Sequence, residues 1–92
     1  MTVAVTHNAA RQRFEATVED QLCVLDYQQR GDVVWMTHTG VPPAVGGRGI
    51  AAELVRAGLA WAEQQGRRVE PACSYVEVYM RRHPETHKLL AS

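Results

Sequence analysis

A glycine-rich turn, Val41-Pro-Pro-Ala-Val-Gly-Gly-Arg-Gly-Ile50, divides this chain between two different periodicities. Before it, Val33-Val-Trp-Met-Thr37 has the β-branched and aromatic character of a strand. After it, Ile50 to Gln65 repeats apolar residues at helical spacing. Pro42 and Pro43 donate no backbone hydrogen bond, so they stop the strand. A strand must therefore pass through glycines directly into a helix. Such a turn leaves N–H groups unpaired at the positive end of the helix dipole, which makes residues 46–51 a candidate site for phosphate or pyrophosphate.

The residues on either side supply the rest of the fold. Arg13 to Glu19 alternates Phe14, Ala16 and Val18 with Glu15, Thr17 and Glu19, the pattern of a half-buried strand. Val18 to Gln21 reads as a hairpin loop, and Leu22 to Gln28 as a second strand with Cys23, Leu25 and Tyr27 on one side. Arg30-Gly31-Asp32 is a turn signal before a third strand, Asp32 to Val41. Short loops imply antiparallel pairing. A short opening strand is expected at Val3 to Thr6.

The helix after the turn carries Ile50, Leu54, Ala57, Gly58 and Trp61 along one stripe, widened by Ala51, Val55, Leu59 and Ala62. Gly66 suits the position just past its end, and Arg67 and Arg68 suit its dipole. Arg68 to Ala72 should return as a strand parallel to its neighbour, through a right-handed crossover. Ser74-Tyr-Val-Glu77 matches a capping box for a second, shorter helix that ends before Pro84, with a last turn from Pro84 through Leu90. Trp35 and Trp61 read as core. The expected class is α/β (α+β mixed): antiparallel strands, the glycine turn, a long helix, a parallel return strand and a short C-terminal helix.

Ninety-two residues suit a single domain, 1–92, with one core. Ten lysines and arginines balance ten aspartates and glutamates, which argues against a dedicated nucleic-acid or anionic-membrane partner. The basic clusters Arg67-Arg68 and Arg81-Arg82-His83 read as solvated helix ends. Cys23 and Cys73 are far apart and show no metal spacing, and His7, His83 and His87 suggest no metal either. The N-terminus is too short and polar for a signal peptide, and no apolar run reaches membrane-spanning length. A cytoplasmic protein with reduced thiols is expected.

The turn is not a Walker loop, because Ile50-Ala51 follows the last glycine where Lys-Ser/Thr would stand. It is not a dinucleotide fingerprint, because Ala52 occupies the place of the third glycine. Gly47-Arg-Gly-Ile-Ala51 with Leu54-Val55 instead resembles the acetyl-CoA loop of the GNAT superfamily of N-acyltransferases. With His38-Thr39, Val41-Pro42, Cys73, Tyr75, and Tyr79 before Pro84, the ordered set resembles a small single-domain GNAT-like family over about residues 11–85.

That resemblance implies a GNAT-like mixed sheet, split where the pre-loop strand parts from the strand after the helix. It implies acetyl-CoA or CoA as co-substrate, with no metal. The arm would pair with the backbone near Val41, and the N–H groups of Gly46, Gly47, Arg48, Gly49, Ile50 and Ala51 would hold the pyrophosphate. Three positions depart from the pattern. Ala44 replaces a common Gln or Arg, Gly40 an acidic residue, and Gly46 a basic one. Gly46 removes a cation near the phosphates, and Gly40 a base near the acetyl group. The superfamily also builds its acceptor site partly from N-terminal helices, for which the residues before Arg11 leave no room.

Three residues are candidates for chemistry. Cys73 follows a strand and precedes a helix N-terminus, where a thiolate is favoured. In the resembled family a cysteine here approaches the acetyl thioester, so Cys73 either accepts the acetyl group or packs as a small thiol. His38 is expected on one strand face with Val34 and Met36, near the thioester. There it would take a proton from Cys73 or from an amine, or else cap the core. Tyr79 resembles the tyrosine that protonates the leaving thiolate, and core packing fits it equally.

Two functions follow. One is acetyl transfer from acetyl-CoA to an unidentified amine or thiol, through acetyl-Cys73 or directly. The alternative is a CoA or acyl-CoA binding module without turnover. A structural interaction domain would require the glycine loop to be accidental. The acceptor and the oligomeric state have no sequence signature.

Overall fold

Phe14 and Ala16 point inward from strand β2 (Arg13–Val18), as their alternation with polar residues requires. The computed structural model describes residues 3–92. It pairs β2 with β1 (Thr6–Asn8) on one side and with β3 (Gln21–Arg30) on the other. The opening strand is therefore Thr6–Asn8 rather than Val3 to Thr6, in register Thr6 to Glu15 and Asn8 to Arg13. Glu19 and Asp20 both take positive φ (48° and 65°) in the β2–β3 turn, the backbone a two-residue hairpin needs to match strand twist. β4 (Val33–Gly40) pairs antiparallel with β3, and β5 (Arg68–Pro71) pairs parallel with β4, in the order β1-β2-β3-β4-β5.

Helix α1 (Ile50–Gln64) makes the crossover between β4 and β5. Ile50, Leu54, Val55, Gly58, Leu59 and Ala62 are buried on its sheet-facing side. Gly58 permits this close approach, since a Cβ there would lie 2.8 Å from Leu25 Cδ2 and 3.1 Å from Met36 Cε. Past the helix, Gly66 takes φ +70° and the Arg67 N–H donates to Ala62, which turns the chain into β5.

Helix α2 (Ser74–Arg82) adds Val76 and Met80 to the same buried cluster as Phe14, Ala16, Cys23, Leu25, Tyr27, Val34, Met36 and Val69. A 3-10 segment, Pro84–Leu89, closes that cluster with Leu89. The capping box is not formed. Cys73, one residue earlier than Ser74, is the N-cap, because its carbonyl accepts the first helical bond from the Glu77 N–H. The Glu77 carboxylate pairs with Arg81 instead of reaching back.

The tryptophans differ from expectation in opposite degrees. Trp61 lies half-buried at the rim of the core, in an aromatic group with His7, Phe14 and Tyr27 at centroid distances of 4.7, 5.8 and 5.1 Å. Trp35 is not in the core. Its neighbours Val34 and Met36 take the inward positions, so Trp35 faces out, half-exposed, with the Arg30 guanidinium 4.8 Å from its ring.

Candidate active site

The glycine turn leaves β4 through Val41-Pro42 and a single 3-10 turn, Pro43–Val45, anchored by buried Val45. Gly47 and Gly49 both take φ +76°, a left-handed backbone that disfavours any side chain. A Cβ at either would meet nothing within 4 Å, so conformation and not space requires glycine there. Gly49 is the N-cap of α1 and offers no side chain to close the helix end. The first turn of α1 therefore presents free N–H groups, and no described backbone bond uses those of Gly47, Arg48 or Gly49. A hollow of about 270 Å³ opens over this helix end, lined by Val41, Gly46, Gly47, Gly49, Ile50, Ala51 and Tyr75.

One of the expected N–H contacts is already used, and the Arg48 side chain is engaged elsewhere. The Gly46 N–H donates to the Pro43 carbonyl at 3.1 Å, so it is already engaged. The Arg48 side chain does not line the hollow; it pairs with the Glu19 carboxylate on the β2–β3 turn.

Strand β4 then alters the expected placement of His38. Met36 pairs with Tyr27 and His38 with Asp26, two residues against one, so Thr37 is an extra residue in a β-bulge. Each residue after it is turned to the opposite side from simple alternation. His38 therefore does not share a face with Val34 and Met36. It is exposed on the outer face, its imidazole lying over Gly40, where a Cβ would come within 3.1 Å of Nε2. Thr39 takes the inward position, paired with Leu25, and its Oγ1 lies 3.6 Å from Cys73 Sγ. Thr39 had no expected role, and only the unforeseen bulge distinguishes it.

Cys73 is half-buried where the two parallel strands part. Pairing of β4 with β5 ends at Met36 and Pro71, with one further bond from the Cys73 N–H to the Met36 carbonyl (2.9 Å). β4 runs on to Gly40, so the sheet splits beside the Cys73 sulfur. Burial pushes this thiol up. The N–H of Val76, the Thr39 hydroxyl, and the N–H groups of Tyr75 and Thr39 outweigh burial and hold it below the ordinary value of 9.0. No closed cap hydrogen bond forms, yet the amides of the second and third helical residues favour negative charge on the sulfur. Cys23 shows the opposite case: fully buried, it donates to the Gln21 carbonyl and is pushed up by desolvation.

Tyr79 lies one helical turn beyond Tyr75, in a cleft of about 460 Å³ between α1 and α2. Glu53 and Arg56 of α1 face Tyr79, Arg82 and His83 across it. Tyr75 lines both this cleft and the glycine hollow. Burial pushes the Tyr79 phenol up; Arg56 opposes this, while Glu85, Tyr75 and Glu53 add to it. Its ring stacks on His83 at 4.0 Å, and His83 Nδ1 donates to the Tyr79 carbonyl. The structure thus brings Cys73, Thr39 and the α2 amides together, leaves His38 on the other face, and sets Tyr79 on the cleft side of α2.

A family model described as GCN5-related N-acetyl-transferase matches residues 13–89. The chain belongs to the GCN5-related N-acetyltransferase family. Its relatives include Protein NATD1 of Mus musculus, 31% identical over 85 residues that cover 89% of this chain and 77% of the relative. Protein NATD1 of Homo sapiens is also 31% identical over 85 residues, covering 75% of that protein. A solution structure of a GCN5-like protein from Staphylococcus aureus superposes with a TM-score of 0.77 at 16% identity, over 97% of this chain and 88% of that one, and shows the same fold. Members of this N-acetyltransferase family bind an acyl-CoA and an acceptor. Among the described residues no group of three or more His, Cys, Asp or Glu side chains is placed to hold a metal. Nor is any described helix long and apolar enough to cross a membrane.

Proposed function

We propose that this N-acetyltransferase-family chain takes the acetyl group of acetyl-CoA onto Cys73 and passes it to an amine or thiol acceptor. The observation that carries this is the junction of two features. Free N–H groups line a hollow at the positive end of α1, and a thiol held below its ordinary pKa stands where the sheet splits. Backbone donors from Gly47 to Ala51 and the α1 dipole suit a pyrophosphate, and the backbone near Val41 suits the amide-bearing arm. Tyr75, which lines the hollow, lies two residues from Cys73 and so links the two.

In this mechanism the Cys73 thiolate attacks the thioester carbonyl and forms a new C–S bond. The bond to the CoA sulfur breaks, and that sulfur leaves with the electron pair. The Tyr79 phenol supplies a proton to it. His38 stands across the sheet from Cys73 and acts on the acceptor rather than on the thiol. It removes a proton from an amine that reaches the acetyl carbon through the split between β4 and β5; the new N–C bond forms, the C–S bond breaks, and Cys73 leaves as the thiolate.

Calorimetric titration with CoA tests the binding half. No heat at millimolar ligand overturns it. Intact-mass measurement after incubation with acetyl-CoA tests the covalent half. An acetyl adduct on the wild type that disappears in Cys73→Ala is expected; binding without an adduct or CoA release leaves a CoA-binding module in its place.

A further inference from the structure

The side-chain hydroxyl that meets the Cys73 sulfur belongs to Thr39, at 3.6 Å, a usual separation for a hydrogen bond to sulfur. The contact depends on the bulge at Thr37, without which alternation would present His38. Thr39 is seated opposite Leu25, which is fully buried, so its backbone is fixed by the sheet. The sulfur is also fixed, at the N-cap of α2, with the Tyr75 and Val76 amides turned toward it. A neutral thiol and a hydroxyl can share this contact in either direction. A thiolate can only accept, so ionisation of Cys73 sets Thr39 as the donor.

We infer that Thr39 is a positioning residue for Cys73: its hydroxyl donates to the thiolate from β4, completing from the strand side the donor set that α2 begins. The inference rests on the reading of Cys73 as acetyl acceptor. Its catalytic consequence follows from atom balance. The Cys73 proton leaves to solvent, the sulfur lone pair forms the S–C bond, and the electron pair of the broken bond leaves on the CoA sulfur. Thr39 keeps its proton throughout and holds the sulfur beside the sheet split until attack.

The titratable side chains on the packed elements leave Thr39 as the decisive side-chain partner. On β4, His38 is turned to the outer face. On β5, Glu70 is paired beside outward-facing Trp35. On α2, Tyr75 is exposed and Glu77 is paired with Arg81.

Site-resolved alkylation by iodoacetamide, followed by mass spectrometry from neutral to alkaline pH, tests this without any CoA. Cys23, fully buried, serves as an internal control. In Thr39→Val, which keeps the shape and removes the hydroxyl, the midpoint of Cys73 alkylation should move upward. Its rate at neutral pH should fall about tenfold, the effect of one pKa unit on the thiolate fraction. Thr39→Ser should restore both. Thr39→Ala gives the same reading if valine at this position does not fold. An unchanged midpoint in the folded deletion variants, or a serine variant that behaves like valine, overturns the inference. Acetyl-CoA added to the same proteins separates the two readings. A shifted midpoint with no acetyl adduct on the wild type overturns the acyl-enzyme step and leaves Thr39's support of the thiolate standing. An adduct with an unshifted midpoint overturns Thr39 alone.

Discussion

The guanidinium of Arg48, in the glycine turn, is held by the carboxylate of Glu19, in the β2–β3 turn. The one cation in the glycine turn is thus engaged by a hairpin far away in sequence. Both side chains are substantially exposed, so the pair is a weak one that a phosphate can displace. Glu19→Gln should release Arg48 and tighten CoA binding by about threefold at low salt, within the energy of an exposed ion pair. The gain should shrink as salt screens it. Calorimetry at two ionic strengths checks this; equal affinity of wild type and variant at low salt would count against a role for Arg48.

Two glycines of the same turn should respond in opposite ways. Gly49→Ala places a side chain at φ +76° and should destabilise the fold by about 1–2 kcal/mol, with loss of CoA affinity as the α1 N-terminus shifts. Gly46 has φ −66°, and a Cβ there meets only ordinary contact, 3.4 Å from the Pro43 carbonyl. Gly46→Lys should fold normally and bind CoA about fivefold more tightly through an added charge. Thermal unfolding and titration of both variants measure the contrast.

His38 and Cys73 should act on different groups. His38 lies on the outer face and Thr39 on the inner one, so His38→Ala should leave the pH profile of Cys73 alkylation unchanged. Acetyl transfer to an amine should fall about a hundredfold, the range for loss of a general base. If removing the imidazole shifts the alkylation profile, His38 acts on the thiol after all.

His7 supplies a pH prediction for stability. It stacks on Phe14 at 4.2 Å and meets the Tyr27 hydroxyl at 2.6 Å, and burial pushes it below its ordinary value of 6.5. The unfolded chain therefore binds this proton more readily than the folded one. The contribution is fully present above pH 6.5 and declines as pH falls from there through the lower folded value. His7→Phe should flatten that acid-side decline in thermal unfolding. An equally steep decline would assign it to other groups.

The order of elements was legible because each signal was local. Phe14, Ala16 and Val18 alternate, Pro42 and Pro43 block further pairing, and Gly66 ends the helix. Gly47 and Gly49 marked the turn because the left-handed backbone favours glycine. The sides of the sheet were less legible. Trp35 reads as core in the sequence, whereas its face is decided by the parity of Val34 and Met36. Ser74 has the composition of a cap, but the first helical bond starts from the Cys73 carbonyl. His38 and Thr39 were exchanged because a bulge depends on how two strands register, and no residue type at Thr37 announces it. The Arg48–Glu19 pair joins residues 29 positions apart and has no periodic signature.

The bulge at Thr37 has an evolutionary consequence. Substitution can change what stands at positions 38 and 39, but cannot move either side chain through the plane of the sheet. A one-residue slip of register can, because strand side chains repeat every two positions. A one-codon deletion at Thr37 would only close the bulge, with Met36 still opposite Tyr27 and His38 opposite Asp26, whereas drawing Thr37 into the ladder as an ordinary residue would bring the imidazole toward Cys73 and send the hydroxyl outward. Within such a family, a change in how this strand registers on β3 is therefore a more drastic chemical event than replacing either residue.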